Sequence, residues 1–289
     1  MPALLNYIVW DVSPFIYEGE HFAIGWYGTI VTLAIIAVYV FQWIMYRKEH
    51  LPRYYTDVAF IACTLLGAFF CHVFHCLFYE WYEMGNGVLD NPTFSQPLEW
   101  FHLGHGMASH GVDFGMWLGA WIVAKRVFDC STLWVMDRMI VSRIAFHAIS
   151  RLSNIFNSEI YGYPTDLPWG FVFVYNGETV PCHPTAIYES ILAAVAVIVW
   201  WYLYEKTDAK QHMGMLTGIS ALMLWVPRFF IEFLKPVQRA FEEEFVLNMG
   251  QMLSIPYIII GIVLVVYSVR TTAVIKSPIV NDKGTTKRK

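Results

Sequence analysis

Charged residues are scarce in this sequence. Asp, Glu, Lys and Arg together make up 15% of the 289 residues, whereas hydrophobic residues make up 57% and aromatic residues 17%. Soluble globular domains carry about 25% charged residues, so this composition excludes an ordinary soluble domain. The net charge of −4 also gives no excess of basic residues, and no nucleic-acid partner is expected.

Paired cysteines, repeats and linkers are lacking too. The five cysteines are odd in number and show no C-x-x-C spacing, so neither a disulfide framework nor a zinc site is predicted. No internal repeat and no Pro/Ser-rich linker divides the chain, which predicts a single integral membrane domain over residues 1–289. The first residues lack a basic n-region and a small-x-small cleavage pattern. An outer-face arm (1–23) is therefore expected in place of a cleaved signal peptide.

Apolar stretches, by contrast, are abundant. A transmembrane helix needs about 20 mostly apolar residues, and seven stretches meet this need. They cover residues 24–46, 58–81, 107–127, 133–156, 186–204, 215–234 and 247–269. The third and fourth stretches also carry charged residues. The sequence thus predicts an all-α polytopic membrane protein with a core of about seven spans over residues 24–269.

The basic residues indicate how the chain is oriented in the membrane. With seven spans, 14 of the 19 Lys and Arg fall on one side, while the opposite loops are acidic. The 14 lie in alternate loops, near the start of the fourth stretch (Arg138) and in a basic tail (270–289). Cytoplasmic loops are enriched in Lys and Arg, so the N-terminus is expected outside and the C-terminus in the cytoplasm. The five remaining cations lie within the spans or at their outer ends: Arg143, Arg151, Arg228, Lys235 and Arg239.

Polar residues recur at steps of three or four in the fourth apolar stretch, which places them on one helical face. They are Arg143, His147, Ser150, Arg151 and Asn154. Lipid cannot solvate such a face, so it is expected to look into protein or water. Arg151 and Arg228 would repel each other in this environment unless an anion lay between them. Phosphate is the anion that best fits the guanidinium fork.

A structural interpretation of the same cations is the alternative. Glu232 follows Arg228 by one helical turn, so these two residues could form an ion pair within a helix. That pair would leave Arg143 and Arg151 without a partner, although Glu159 could serve one of them. Because cations inside a membrane-spanning stretch are functional by default, an anionic ligand is the favoured interpretation.

His110 is a candidate for proton transfer, since the pKa of histidine suits it near neutral pH. Gly106 and Gly111 flank it and would let backbone or ligand come close. The alternative is a histidine that is hydrogen-bonded at a helix start, with Ser109 as the cap. Asp113, one turn later, could orient the ring or face the outer water.

A small outer-face cap with short β elements is predicted at about 157–182. Strand-forming residues flank the dipeptide Asn176-Gly177, which is typical of hairpin turns. The cap directly follows Arg151 and Asn154, so it could receive a second substrate. An inert surface turn is the alternative.

Two His-x-x-His pairs, His72 with His75 and His102 with His105, allow a metal-dependent membrane enzyme that acts on lipid, because histidines at i and i+3 of a helix can share a metal. No adjacent His-His pair, no H-x-x-x-H box and no surplus of carboxylates within the spans accompanies them. We therefore expect no metal and no cofactor, and the metalloenzyme is kept as the weaker alternative.

A collinear set of motifs runs from the N-terminal arm to the seventh apolar stretch. The motifs are Trp26-Tyr27-Gly28, Met107-Ala108-Ser109-His110-Gly111, Arg151-Leu152-x-Asn154 with Asn157-x-Glu159 and Gly162, Leu167-Pro168-Trp169-Gly170, His183-Pro184-Thr185-Ala186-Ile187-Tyr188-Glu189, Arg228-Phe229-Phe230-Ile231-Glu232-Phe233, and Asn248-Met249-Gly250-Gln251-Met252-Leu253-Ser254-Ile255-Pro256. This set resembles the prolipoprotein diacylglyceryl transferase family. Together these motifs are specific, although no single one would be.

The resemblance implies a transfer reaction in the bacterial cytoplasmic (inner) membrane. The diacylglyceryl group of phosphatidylglycerol would move to the lipobox cysteine thiol of a prolipoprotein signal peptide, forming a thioether and releasing glycerol 1-phosphate. By matching position, Arg151 and Arg228 would hold the phosphate, and His110 would be the base. The residues expected to line and orient the site are Tyr27, Asn154, Glu159, Gly162 and Glu232.

The chain departs from the family pattern in several places. Ser150 and Ser153 stand where the family commonly has glycine, and Leu224 stands where many members have tyrosine. Cys71-His72-Val73 occupies the place of a Gly-Ala-Arg or Gly-Gly-Arg element. The resemblance therefore indicates a divergent member, and a catalytically weakened paralogue that binds membrane lipid is the second alternative.

Overall fold

Helices dominate the structure, a computed structural model that describes residues 7–78, 82–84, 88–90, 108–236 and 246–271. The described residues contain seven α-helices. These are α1 (Trp26–Lys48), α2 (Arg53–Phe78), α3 (Ser109–Val123), α4 (Thr132–Phe156), α5 (Thr185–Lys206), α6 (Met215–Ile231) and α7 (Met249–Arg270). A π-helical turn (Ala124–Phe128) extends α3, and a 3-10 turn (Glu232–Leu234) extends α6. Each helix coincides with one of the seven predicted apolar stretches.

Five of these helices are long and apolar enough to cross a membrane, namely α1, α2, α5, α6 with its 3-10 turn, and α7. The other two are the stretches that carry charges in the sequence. α3 has only 15 residues, and α4 bears Asp137, Arg138, Arg143 and Arg151 along its length. The prediction of a mostly helical polytopic membrane protein is confirmed. Arg239 and residues 272–289 of the basic tail lie outside the described residues.

Large apolar side chains cover the outer faces of the long helices. Leu33 of α1, Ile198 of α5 and Val263 of α7 are exposed by 59%, 69% and 58%. Water would disfavour such broad apolar faces, whereas lipid tails solvate them. The outer faces therefore agree with a protein surrounded by lipid.

Helix α4 packs against α1, α5 and α6. Asp137 of α4 fixes the start of α6, because its carboxylate accepts hydrogen bonds from the backbone N–H groups of Gly214 and Thr217 and from the Thr217 hydroxyl, all at 2.7–2.8 Å. The first N–H groups of a helix have no partner within the helix, so a carboxylate from a neighbouring helix caps them. This cap sets the register between α4 and α6.

Glu49, directly after α1, joins three helices at the same end of the molecule. Its carboxylate accepts a hydrogen bond of 2.8 Å from Arg138 of α4 and one of 2.7 Å from the hydroxyl of Tyr204 of α5. Arg138 is buried, and its pairing with Glu49 compensates its charge.

Glycines on α3 let that helix lie directly against the backbone of α2. A Cβ atom added at Gly111 would lie 2.0 Å from the carbonyl oxygen of Phe70, and one added at Gly115 would lie 2.2 Å from that of Leu66. Small residues four apart allow this close approach between membrane helices. Gly111 was expected to let either backbone or a ligand come close to His110, and the structure shows that backbone, that of α2, lies against it.

Replacing Gly115 by alanine is expected to lower the thermal unfolding midpoint in detergent. The added methyl overlaps a backbone oxygen that cannot rotate away, and overpacking of this kind costs about 1–3 kcal/mol or more. Gly28→Ala on α1 is the matched control, because nothing lies within 4 Å of its added Cβ. The control is expected to leave the midpoint unchanged or to raise it slightly. Equal midpoints for the two variants would contradict the close approach.

Short strands complete the described fold. They are β1 (Ile8–Trp10), β2 (Phe15–Glu18), β3 (Ala23–Gly25), β4 (Tyr82–Met84), β5 (Val88–Asp90) and β6 (Phe171–Phe173). β2 pairs with β3 and β4 with β5 in antiparallel fashion, whereas β1 pairs with β6 in parallel, with Ile8 opposite Phe171. The Trp10 indole also donates a hydrogen bond of 3.0 Å to the Ile155 carbonyl. The N-terminal segment is thereby tied to the end of α4.

The segment 157–182 contains the predicted short β element and the predicted turn. After β6 the chain turns at Gly177 (φ 78°) and returns so that Cys182 and Phe171 exchange backbone hydrogen bonds. The hydroxyl of Tyr161 donates to Glu178 at 2.7 Å. Burial and this hydrogen bond raise the pKa of Tyr161, so the phenol remains the donor at neutral pH. The parallel partner of β6 is the N-terminal strand, which local sequence could not indicate.

Candidate functional site

Three cations from two parts of the chain meet one carboxylate among α4, α5 and α6. Glu189 Oε2 lies 2.6 Å from Nε of Arg151 and 3.0 Å from a terminal nitrogen of Arg228, and Glu189 Oε1 lies 2.5 Å from Nζ of Lys235. All four side chains are buried. Charges removed from water require such compensation, so the four groups form one unit. We call these residues, together with Glu232, the central charge cluster.

Glu232 is the second carboxylate of the cluster. It lies 3.0 Å from Nζ of Lys235 and 4.0 Å from a terminal nitrogen of Arg228. The expected ion pair within the helix is therefore present at the limit of contact distance, but Arg228 is closer to Glu189. The Glu232 side chain also packs on Gly250 of α7, where an added Cβ would lie 2.6 Å from its carboxyl carbon.

An ion pair between Arg228 and Glu232 was expected to leave Arg143 and Arg151 unpaired unless Glu159 bound one of them, and the structure instead gives both arginines other carboxylate partners. Arg143 donates two hydrogen bonds to the carboxylate of Asp113, at 2.6 and 3.3 Å. Asp113 was expected to orient His110 or to face the outer water; it is instead buried in this pair. The reason is that both groups lie between α3 and α4, where each needs the opposite charge of the other.

Glu189, the partner of Arg151, was assigned no function from the sequence, although it stands in one of the family motifs. Its carboxylate lies in an apolar helix, and a buried carboxylate at that depth is itself a signal of function. Its pairing with Arg151 depends on how α5 packs against α4 and follows no local spacing. Periodicity in a sequence describes one helix at a time, so it could not predict that Arg151 pairs with Glu189.

Glu159 accepts hydrogen bonds from two asparagines and, among the described residues, forms no ion pair with an arginine. Its Oε1 accepts hydrogen bonds from the side-chain amides of Asn154, at 2.7 Å, and Asn157, at 3.4 Å. Tyr27, in the first turn of α1, is partly buried and within electrostatic reach of Glu159 and Arg151. The structure thus brings Tyr27, Asn154 and Glu159 together beside Arg151.

The imidazole of His110 is fully buried and stacks on the indole of Trp225, with ring centroids 4.5 Å apart. Tyr257 donates a hydrogen bond of 2.6 Å to the His110 carbonyl, which fixes the backbone and leaves the ring free to act. Among the described residues, neither ring nitrogen has a hydrogen-bond partner. Buried polar atoms are rarely left unsatisfied, because each costs about 1–3 kcal/mol. The two ring nitrogens can therefore exchange a hydrogen bond or a proton with a group that enters the site.

The interpretation of His110 as a hydrogen-bonded residue at a helix start is therefore wrong. Ala108, not Ser109, holds the N-cap position of α3, and no side chain caps it. Arg228 lies one turn beyond Trp225, with its guanidinium carbon 5.9 Å from the indole centroid. His110 and Arg228 thus contact the same aromatic ring.

Gly162 admits backbone and not a side chain. An added Cβ would lie 2.3 Å from the carbonyl oxygen of Leu234, and the Gly162 N–H donates to the His183 carbonyl at 2.8 Å. The glycine therefore allows the segment after α4 to lie against the end of α6, next to Glu232 and Lys235.

A small crevice, open to the surroundings, adjoins the cluster. It is lined by the polar side chains of His147, Glu189 and Arg228 and by the apolar residues Leu192, Ala193, Met223, Leu224, Pro227 and Ile231. A lining that combines charged and apolar side chains suits an amphiphilic ligand.

The structure describes only one of the two histidine pairs, His72 with His75 on α2. His72 Nε2 lies 3.5 Å from the sulfur of Cys76. His102 and His105 lie outside the described residues. Within the part of the chain that the structure describes, no three residues among His, Cys, Asp and Glu come together to hold a metal ion.

Fold and site together define an integral membrane protein whose helices enclose a buried cationic cluster beside a histidine whose ring has no hydrogen-bond partner among the described residues. A family model of prolipoprotein diacylglyceryl transferase matches residues 14–267. The chain belongs to this family.

Several curated relatives match this chain over most of their length. The chain is 35% identical over 285 residues to a protein of Porphyromonas gingivalis, covering 91% of this chain and 95% of that relative. It is 32% identical over 269 residues to one of Chloroherpeton thalassium (92% and 96%) and 33% identical over 273 residues to one of Bacteroides fragilis (91% and 95%). Each of these relatives is named phosphatidylglycerol–prolipoprotein diacylglyceryl transferase.

Proposed function

We propose that this protein transfers the diacylglyceryl group of phosphatidylglycerol to the lipobox cysteine of prolipoproteins in the bacterial inner membrane. The observation that carries the proposal is that the buried guanidinium groups of Arg151 and Arg228, from separate helices, lie side by side on the carboxylate of Glu189. The names of the relatives supply the substrates, and the cationic cluster beside the crevice supplies a place for a lipid phosphate.

The reaction breaks the bond between the glycerol carbon of the diacylglyceryl group and the phosphate oxygen. The cysteine sulfur forms the new bond to that carbon, and glycerol 1-phosphate leaves with the oxygen and with the electron pair of the broken bond. Arg151 and Arg228 stabilise the charge that develops on the leaving phosphate. His110 accepts the thiol proton, because a thiol with a pKa near 8.5 is mostly protonated at neutral pH.

The remaining site residues position these groups. Tyr27, Asn154 and Glu159 line the side of Arg151 that faces the start of α1. Glu232 orients Arg228 and Lys235, and Gly162 brings the segment after α4 close to them. Phosphatidylglycerol and the signal peptide are the partners, membrane lipids surround the protein, and no cofactor takes part.

The architecture proposed for this function is a single membrane domain over residues 1–289. It has seven spans, with α3 and α4 as the third and fourth. Residues 1–23 form an arm and residues 157–182 a cap on the outer face, where the prolipoprotein arrives. The parallel pairing of β1 with β6 supports placing arm and cap on the same side. Residues 270–289 form the cytoplasmic tail.

The direct test uses purified protein, phosphatidylglycerol and a lipobox peptide, with release of glycerol phosphate and formation of the thioether measured together. Stoichiometric release with peptide modification supports the transferase. Lipid binding without release would instead identify a paralogue that binds lipid. Elemental analysis of the same sample distinguishes the transferase from the alternative metalloenzyme, because the metalloenzyme requires stoichiometric iron or zinc.

The topology is expected to place residues 176–178 outside the cell and residue 208 inside. A cysteine introduced as Asn176→Cys should react in intact spheroplasts with a membrane-impermeant maleimide, because the side chain is exposed. The native cysteines 63, 71, 76, 130 and 182 are buried, so the background is low.

The matched variant is Asp208→Cys, which is also exposed but lies between α5 and α6 on the basic side. It should react only after the membrane is permeabilised. Reaction of residue 208 from outside, or a C-terminal reporter that reads outside, would contradict the seven-span arrangement.

A further inference from the structure

The central charge cluster has a definite net charge. Arg151, Arg228 and Lys235 contribute three positive charges, and Glu189 and Glu232 contribute two negative charges. His147 lies 3.6 Å from Glu189 and is counted as neutral. Arg143 and Asp113 compensate each other. Glu159 is only half-buried, accepts hydrogen bonds from the amides of Asn154 and Asn157, and lies outside the cluster. The five charged residues of the cluster itself therefore carry one net positive charge.

Glu189 is the group that determines this value. Its carboxylate touches all three cations, whereas Glu232 contacts Lys235 and lies at the limit of contact with Arg228. It is 3% exposed and also lines the crevice. Inside a membrane, an uncompensated charge is costly, so the ligand that binds best is the one that brings the total charge of the cluster to zero.

A lipid phosphodiester brings one negative charge and therefore neutralises the cluster. The phosphomonoester that leaves after transfer brings about two negative charges above its second pKa near 6, which leaves the cluster with an excess negative charge. We propose that Glu189 sets the net charge of the site so that it accepts a singly charged phosphodiester and disfavours the doubly charged phosphomonoester.

This inference rests on the proposed function and adds a positioning residue to it. Glu189 holds Arg151 and Arg228 beside each other, restricts the lipid head group to a single negative charge, and promotes release of the product. Without its charge the two arginines would bind the product more tightly than the substrate.

The test measures binding of two probes by calorimetry in detergent at pH 8, without peptide. Glycerol 1-phosphate is the doubly charged probe, and its monomethyl ester is the singly charged one. The unmodified protein is expected to bind the singly charged probe more tightly by at least about tenfold, since the other probe leaves a buried charge uncompensated. Equal binding, or tighter binding of the doubly charged probe, overturns the proposal.

Variants that change charge in opposite directions separate this effect from a structural one. Glu189→Gln makes the cluster more positive and is expected to shift the ratio of the two dissociation constants by at least about tenfold towards the doubly charged probe. Lys235→Gln makes it less positive and should shift the ratio the other way. Glu189→Asp keeps the charge and should keep the ratio even if turnover falls. A merely structural disturbance would move both neutralising variants in the same direction, which counts against the proposal.

Glu49→Gln is the matched control, because Glu49 is also paired with a buried arginine but lies at the Arg138 end of α4. It should leave the ratio unchanged, and an equal shift there refutes a specific effect of Glu189. If Glu189→Gln does not fold, Lys235→Gln and the unmodified protein still decide the outcome. A protein that shows the charge preference without transfer would refute the proposed function alone. Transfer with no effect of these variants on the ratio would refute this inference alone.

Discussion

Replacing Arg151 by lysine is expected to lower turnover by an order of magnitude or more. Lysine keeps the positive charge but loses the planar guanidinium, which can contact Glu189 through Nε and present its terminal nitrogens to a phosphate. A tenfold loss corresponds to about 1.4 kcal/mol of transition-state stabilisation. Steady-state release of glycerol phosphate, measured with saturating phosphatidylglycerol and lipobox peptide, gives kcat for the variant.

Arg143→Lys is the matched control for this variant. Arg143 lies two turns earlier on the same helix and is buried to a similar degree, but its guanidinium is bound to Asp113. It is expected to affect turnover much less than Arg151→Lys, and Arg228→Lys is expected to resemble Arg151→Lys. Mild and equal effects of all three substitutions would contradict the assignment of Arg151 and Arg228 to the phosphate.

Replacing His110 by glutamine is expected to depress kcat by about two to four orders of magnitude, the usual contribution of a general base. Glutamine fills similar space beside Trp225 but cannot take a proton. The loss should shrink as pH rises, because the peptide thiol then ionises without help. Raising pH from 7 to 9 increases the thiolate fraction of a thiol with a pKa of about 8.5 roughly twentyfold. The measurement is the pH profile of kcat for both proteins.

His72→Gln is the control for His110→Gln, since His72 is also a buried histidine on a membrane helix. It is expected to affect stability more than kcat and to show no recovery at high pH. If the two variants have parallel pH profiles, the base is not His110. Parallel profiles would point to a structural contribution of its stack on Trp225.

The charged face of α4 illustrates how much the sequence could predict. The spacing of Arg143, His147, Ser150, Arg151 and Asn154 places them on one helical face, and the structure buries all of them except Ser150, which is half-buried. The identity of their partners was not predictable. Asp113 comes from α3 and Glu189 from α5, and an ion pair between helices depends on their relative rotation and depth, which no single-helix periodicity contains.

The strands show the same contrast between what the sequence predicts and what it does not. Residues that favour strands could be recognised in 171–174, and the turn at Gly177 was predicted from Asn176-Gly177. The partner of β6 is β1, far away in the chain and parallel to it. Pairing of that kind depends on the start of α1 lying next to the end of α4. The hydrogen bond from Trp10 to the Ile155 carbonyl belongs to the same arrangement.

The sequence by itself therefore determined what is local in this protein: the membrane class, the positions of seven helices, the charged face of α4 and, through its motifs, the family. These follow from hydrophobic length and periodicity, which are properties of consecutive residues. Only the tertiary structure decided which charges compensate each other. It placed Glu189 between Arg151 and Arg228 and paired Arg143 with Asp113, because buried charges are compensated by whatever neighbouring helices bring within reach. In the part of the chain that the structure describes, it brought no hydrogen-bond partner to the ring of His110.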